Sequence, residues 1–442
     1  MPSASPLSWQ TNPIRVVANA IRSRQSILDA SDTGTGKTYV TLFAAKETGR
    51  RVGVICPKSA IAQWHEAAGQ VGVPTIFVKN VEALRWEKPP QFLRKAGKSW
   101  QWRLPSDALL VVDEVHRFAG ADTDNGKILN AAPQPVAMLS RTAADSPLRL
   151  RAIASQLGLC SWHDWKYWIA RHGCVAGELG GFVFTGGVPA DEFRRLPDVE
   201  KARLTQPHLE AMHRQIFGAG RGVRVRVSDL APGVFPENMV DTVAVPVESQ
   251  KALDEAFVAE IEARQRDAKG VLPEMVHARQ LAEHLKLAGM AEMATDALEQ
   301  GNTVAIFVNF RDSLSRLVDA LDAAGWTAVS IHGDQSAEER EYSRQLIQTD
   351  RARAAVVMAQ AGGVALSLHD LTGRHPRYGL HSPGWSATDL IQALGRLPRA
   401  GAKSNVIQRI VFAAGTIEER VRRSVQRKAH AIDTLNDGDL RI

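Results

Sequence analysis

Short apolar runs separated by longer amphipathic stretches organise this chain. Ser26 to Leu28, Arg51 to Cys56, Leu109 to Val112 and Met138 to Leu139 are brief, nearly unbroken hydrophobic segments, the pattern of strands covered on both faces of a sheet. Between them Pro13 to Arg22 and Lys37 to Lys46 read as helices, and Pro57-Lys58-Ser59 opens a third that carries Trp64. Arg221 to Val227 alternates with period two, which predicts a strand with Arg224 and Arg226 on the face opposite the valines. Val240 to Val245 is a further strand closed by Pro246, and charged helices are expected over Glu248 to Asp267 and Pro273 to Gln300. The alternation then restarts, with strands at Thr303 to Phe307, Ala328 to Ile331 and Ala354 to Met358 and a helix at Asp312 to Ala323. The pattern predicts an α/β chain in two halves, 1–247 and 248–442. An aromatic, helical and β insertion is expected over about 150–236 of the first half.

Composition adjusts this picture little. A chain of 442 residues exceeds one ordinary domain, and 44% hydrophobic with 23% charged residues is typical of globular proteins. A net charge of +6 points modestly to a polyanionic partner. Three cysteines, Cys56, Cys160 and Cys174, make no disulfide framework. No apolar run reaches the roughly 20 residues that span a bilayer, and Met1 to Pro6 lacks a signal pattern. A cytosol-like compartment is therefore expected.

The chemistry gathers at three places. Asp32-Thr33-Gly34-Thr35-Gly36-Lys37-Thr38 follows the first apolar run and enters a helix, the arrangement of a phosphate-binding loop. Its backbone N–H groups cradle phosphates, Lys37 adds a point charge and Thr38 a magnesium ligand. Ser31 stands where the strictest form of the pattern has glycine. Asp113-Glu114 closes the apolar run Leu109 to Val112, at the strand end where open α/β sheets bind ligands. Asp113 suits magnesium, and Glu114 suits activation of a water. In the second half, Arg396 and Arg399 are expected at a helix start, placed to clamp a γ-phosphate or, more plainly, to form surface ion pairs.

Other residues carry two readings. Gln10, before the first helix, either reads an adenine edge or is simply solvated. Lys58 and Ser59, at a helix start, are placed to hold a nucleic-acid phosphate. Ser140-Arg141-Thr142 ends a strand and offers hydroxyls to sense the nucleotide. Cys160, His163, His172 and Cys174 have metal-ligand residue types at an unfamiliar spacing, within an aromatic run around Trp162, Trp165 and Trp168 that reads first as core and second as a base-stacking surface.

Taken in order, these segments resemble superfamily 2 helicases, and most closely the Snf-type helicase-like ATPases. The resemblance rests on Asp32 to Thr38, Cys56-Pro57-Lys58 to Trp64, Asp113 to His116, Ser140 to Thr142 and Ile331 to Asp334. It continues through Ala361 to Leu368, Gln392 to Arg399 and Gly415 to Arg420. It implies two RecA-like lobes with parallel sheets and ATP with Mg2+ between them. In that reading Gln10 recognises adenine and Asp32, Gly34, Thr35, Gly36, Lys37 and Thr38 hold phosphates. Thr38 and Asp113 hold magnesium, Glu114 directs water, Lys37, Arg396 and Arg399 stabilise the transferring phosphoryl group, and Lys58, Ser59 and Ser367 contact nucleic acid. DNA, duplex or forked, is the implied partner, with replication or recombination proteins beside it, in a bacterial or phage-infected cytoplasm. Phe182 to Pro236 looks like the annealing-helicase branch, and Gly362 to Asp370 like a Strawberry-notch-like or viral one. Two positions depart from the family pattern: Arg141-Thr142-Ala143 replaces a small residue, Thr and Pro, and Ser367 replaces Asn. An RNA helicase, a switch ATPase without nucleic acid, and the motor subunit of a replication or restriction assembly are the rival expectations.

Overall fold

The computed structural model describes residues 4–437 apart from 121, 134, 145, 178–179, 247–250, 252–253, 255–270, 360–366, 385 and 415–417. The chain packs as two units, Met1–Leu230 with Arg427–Ile442, and Ala231–Gln426.

In the first unit the strands are β1 (Ile27–Asp29), β2 (Arg51–Ile55), β3 (Thr75–Lys79), β4 (Leu93–Ala96), β5 (Ser99–Trp102), β6 (Ala108–Asp113), β7 (Val136–Leu139), β8 (Cys174–Ala176), β9 (Phe182–Phe184) and β10 (Gly222–Val223). Six of them form one parallel sheet in the order β10-β1-β7-β6-β2-β3, while β4–β5 and β8–β9 are antiparallel hairpins. Helices Thr11–Arg22, Lys37–Glu47 and Ile61–Val71 contribute Ile21, Leu42 and Trp64 to one core, against Val54 and Val111 of the sheet. A second core gathers Leu110, Ile128, Met138, Ile153 and Trp168. Trp165 and Trp168 stack there at 5.4 Å, so these two tryptophans are packing residues rather than a base-stacking surface. Parallel strands point one way, so the ends of β1, β2 and β6 deliver the glycine loop, Lys58 and Asp113 to one edge of the sheet.

The strand expected over Arg221 to Val227 shrinks to Gly222–Val223. Beyond Val223 the Arg224 guanidinium turns to the Ala30 carbonyl and the Asp32 carboxylate, and the ladder ends where the Val225 and Val227 N–H groups donate to the Ser31 and Asp32 side chains instead.

The second unit contains β11 (Asn238–Val245), β12 (Thr303–Val308), β13 (Ala328–Ile331), β14 (Ala354–Met358), β15 (Arg377–His381) and β16 (Val406–Ala413), parallel in the order β11-β16-β15-β12-β14-β13. Because β11 pairs along its length with β16, the division of the chain falls near Leu230, ahead of that strand, and not near Val247. Both units are RecA-like lobes: parallel sheets covered by helices. Lys286, fully buried, donates to both Glu418 oxygens (2.7 and 2.9 Å) and to the Val411 carbonyl (2.9 Å), and Glu418 also accepts from the Ala413 N–H. This pair ties the helix Glu418–Asp437 to the sheet. No helix among the described residues is long and apolar enough to cross a membrane.

Candidate functional site

From β1 the chain turns through Gly34 and Gly36, both at φ +90°, into the helix Lys37–Glu47. That left-handed backbone favours glycine. At Gly36 a Cβ would also lie 2.2 Å from the Gln10 amide nitrogen. Gln10 is buried; its Nε2 donates to the Thr35 carbonyl (3.0 Å) while its Oε1 accepts from the Leu7 N–H (3.0 Å). Gln10 and Gly36 are therefore matched parts of one loop. Lys37 Nζ donates to the carbonyls of Ser31 (2.7 Å) and Asp32 (3.2 Å), and burial pushes its pKa down against the opposing pull of Asp29, Glu114, Asp113 and Asp32. Asp29, buried beneath the loop, accepts from the Ser31 N–H (2.9 Å) and is pushed up by burial.

Asp32 faces Arg224 Nη1 at 2.9 Å and Arg141 Nε at 3.1 Å, and accepts from the Val227 N–H at 2.9 Å. Burial alone would raise its pKa, but the two guanidinium groups hold it below the usual carboxylate value. Its carboxylate thus holds the loop in shape. Ser31 contributes in the same way, its Oγ accepting from the Val225 N–H (3.0 Å).

At the end of β6 both Asp113 oxygens are engaged: Trp64 Nε1 donates to Oδ2 (2.9 Å) and the Glu114 N–H to Oδ1 (3.0 Å). Burial, then the neighbouring Glu114 charge, pushes Asp113 up to about 6. Glu114 has φ +54°, a left-handed backbone uncommon in a non-glycine residue. His116 Nδ1 lies 3.0 Å from Ser140 Oγ and 3.3 Å from Glu114 Oε2, connecting the acidic pair to the Ser140-Arg141-Thr142 turn. Sequence reasoning had no sign of Trp64 as the partner of Asp113 or of Arg224 as a clamp, since both contacts are long-range.

Lys58 is exposed and Ser59 half-buried in the short helix Lys58–Ala60 that follows β2. In the second unit, Ser367 is half-buried and irregular, and Ala361 to Leu366 lie outside the described residues, as do Gly415 to Ile417. Arg396 and Arg399 do not start a helix. They follow the end of Ala387–Leu394, because Gly395 caps that helix and Pro398 cannot continue it. Arg396 is buried, and Arg399 lies close enough to His369 to depress its pKa, after burial. Of the four metal-type residues in the aromatic run, His172 lies 2.7 Å from the Trp168 carbonyl through Nδ1 and 3.2 Å from Gln215 through Nε2, and Cys174 is buried. Among the described residues no three His, Cys, Asp or Glu side chains form a metal cluster.

The family described as Helicase conserved C-terminal domain matches residues 286–401, within the second unit. A putative ATP-dependent RNA helicase of Acanthamoeba polyphaga mimivirus is 30% identical over 474 residues, covering 99% of this chain and 85% of the relative. The chain belongs to the helicase-like ATPases of superfamily 2. An SNF2 domain-containing protein of Oryza sativa subsp. japonica is 26% identical to this ATPase over 31% of the chain and 14% of its own length. The SWI2/SNF2 ATPase core of Sulfolobus solfataricus, solved with dsDNA, shares 16% identity at a TM-score of 0.40, over 99% of this ATPase and 94% of that chain.

Proposed function

We propose that this enzyme is an ATP-dependent DNA translocase that moves along or remodels duplex or forked DNA. The reading is carried by one observation: a phosphate-loop geometry, an acidic pair and exposed Lys58 follow three parallel strands at the same edge of one sheet. Gly34, Thr35, Gly36, Lys37 and Thr38 hold the ATP phosphates, with Asp32 and Gln10 fixing the loop around them; for Gln10 to read adenine, its amide must exchange the Thr35 carbonyl and the Leu7 N–H for the base. The loop fits a polyphosphate, since its glycines leave backbone N–H groups uncovered at a helix start. Thr38 and Asp113 would hold Mg2+, which neutralises phosphate charge when bound. Glu114 orients the attacking water and takes its proton. Arg396 and Arg399 supply guanidinium charge to the γ-phosphate. Lys58, Ser59 and Ser367 hold the nucleic-acid backbone, largely without regard to sequence.

A second reading, movement on RNA, is favoured by the mimivirus relative and by an RNA helicase of Pyricularia oryzae, 29% identical over 26% of this chain. Turnover of ATP with single-stranded, duplex and forked DNA and with RNA, each at low and moderate salt, separates the two. Stimulation by duplex or forked DNA that weakens with salt is expected; greater stimulation by RNA transfers the reading to RNA, and no stimulation by any of them defeats both.

A further inference from the structure

The hairpin β4–β5 lies outside the nucleotide site and has no role in it. Its segment, Arg85 to Arg103, carries Arg85, Lys88, Arg94, Lys95, Lys98 and Arg103 against a single carboxylate, Glu87. Glu87 is already paired with Lys79 from β3. Lys88, Arg94, Lys95, Lys98 and Arg103 are exposed. Two carboxylate contacts reach the patch from Asp124, which meets Arg85 at 2.9 Å and Lys95 at 3.7 Å. The positive excess is therefore not cancelled locally.

The hairpin is rigidly built. Leu93 and Trp100 are buried, and Trp102 stacks near Phe77 and donates to the Ile128 carbonyl (3.0 Å). Arg94 pairs across the ladder with Gln101 on the exposed face, and Gly97 at φ +62° closes the turn beside Lys98. Beside it stands Trp86, at the end of the helix Val81–Trp86, with 72% of its surface exposed. Arg85 joins the two, its guanidinium 5.9 Å from the Trp86 ring and 5.8 Å from the Trp100 ring, and Lys95 lies 5.4 Å from Trp100. Arg85 and the buried Trp100 thus link the exposed Trp86 to Lys95.

An exposed indole beside a surface with an excess of cations offers a matched site to a partner that is both anionic and flat. Unpaired nucleotides answer that description: phosphates meet lysine and arginine, and every base has a face that stacks on an aromatic ring. Paired bases do not, because their faces are already stacked. We propose that β4–β5 and Trp86 form a contact surface for single-stranded nucleic acid, with the basic side chains on the phosphates and Trp86 stacked on a base. The proposal rests on the reading of this chain as a nucleic-acid-dependent ATPase.

Anisotropy titrations test it, using a fluorescein-labelled oligothymidine or oligouridine strand, whichever the wild-type protein binds more tightly, and a duplex of matching length. Trp86→Ala is expected to weaken single-strand binding by about tenfold while duplex binding changes less than about twofold, and Trp86→Phe to recover most of the loss. Replacing both Lys95 and Lys98 by Gln is expected to flatten the slope of log Kd against log salt by about 1.4, two phosphate contacts' worth for a single strand. Unchanged thermal melting confirms that the variants fold. Single-strand binding by Trp86→Ala equal to wild type, or an equal loss on duplex, overturns the proposal while leaving the ATPase reading intact. Absence of binding by the wild type to any strand overturns both.

Discussion

Glu114 carries its carboxylate on a backbone that costs a non-glycine residue on the order of 1 kcal/mol or more, and such strain persists only where surrounding contacts impose it. Here they include Asp113, fixed by Trp64, and His116, placed between Glu114 and Ser140. Glu114→Gln keeps the shape and removes the base. It is expected to bind ATP with unchanged affinity while single-turnover hydrolysis falls by about a hundredfold or more; near-normal hydrolysis would take proton transfer away from Glu114. The residues that hold this chemistry were only half legible. Lys37, Asp113 and Glu114 declare themselves by type and spacing, but Trp64 lies 49 positions from Asp113. Nothing in a single sequence reports a hydrogen bond across that interval. Arg224 was misread as a strand residue because alternation cannot distinguish a solvated face from a side chain drawn inward by a buried acid.

Among the elements, the strands of both parallel sheets were legible wherever burial on two faces enforces an unbroken apolar run, as at Leu109 to Val112 and Thr303 to Phe307. Those with polar or glycine positions, such as Arg377–His381, were not, because Arg377 is buried by ion pairing with Asp350 rather than by its own hydrophobicity. The helix Glu418–Asp437 begins at a buried ion pair whose loss is testable. Lys286 is shut away from water, so removing its partner strands a charge. Glu418→Gln, or Lys286→Met from the other side, is expected to destabilise the second unit by about 3–5 kcal/mol, read as a lower urea midpoint, with the double variant losing less than the sum. A midpoint within error of wild type would show the pair to be dispensable.

The molecule as a whole responds to acid through groups of opposite sign. In the second unit burial pushes both His381 and His369 down to about 4, and the unfolded chain takes up their protons near 6.5. Their depressed values mean that stability is present above about pH 6.5 and drains away as pH falls towards 4, by on the order of a few kcal/mol. Asp113 in the first unit, raised to about 6, works the other way: its share is present below its unfolded value and is lost as pH rises through about 6. Urea titrations from pH 7 downward are expected to show the second unit yielding at progressively lower denaturant. A midpoint for that unit that holds steady down to pH 4 would contradict the burial of the neutral rings.

Residues 427–442 belong to the first unit although all of 231–426 lies between them and Leu230. Leu435 enters its core, the Leu435 carbonyl meets His213 Nδ1 at 3.0 Å, and Asn436 donates to the Arg141 carbonyl at 2.6 Å, beside the turn that clamps Asp32. During synthesis, then, the lobe that emerges first from the ribosome stays open at that seam until Leu435 and Asn436 have followed the whole of 231–426, and a chain broken off before them has a nucleotide loop without that brace. A chain ending at Gln426 is expected to be cleaved by protease within 1–230 faster than the full chain, and equal cleavage would show that the seam closes unaided.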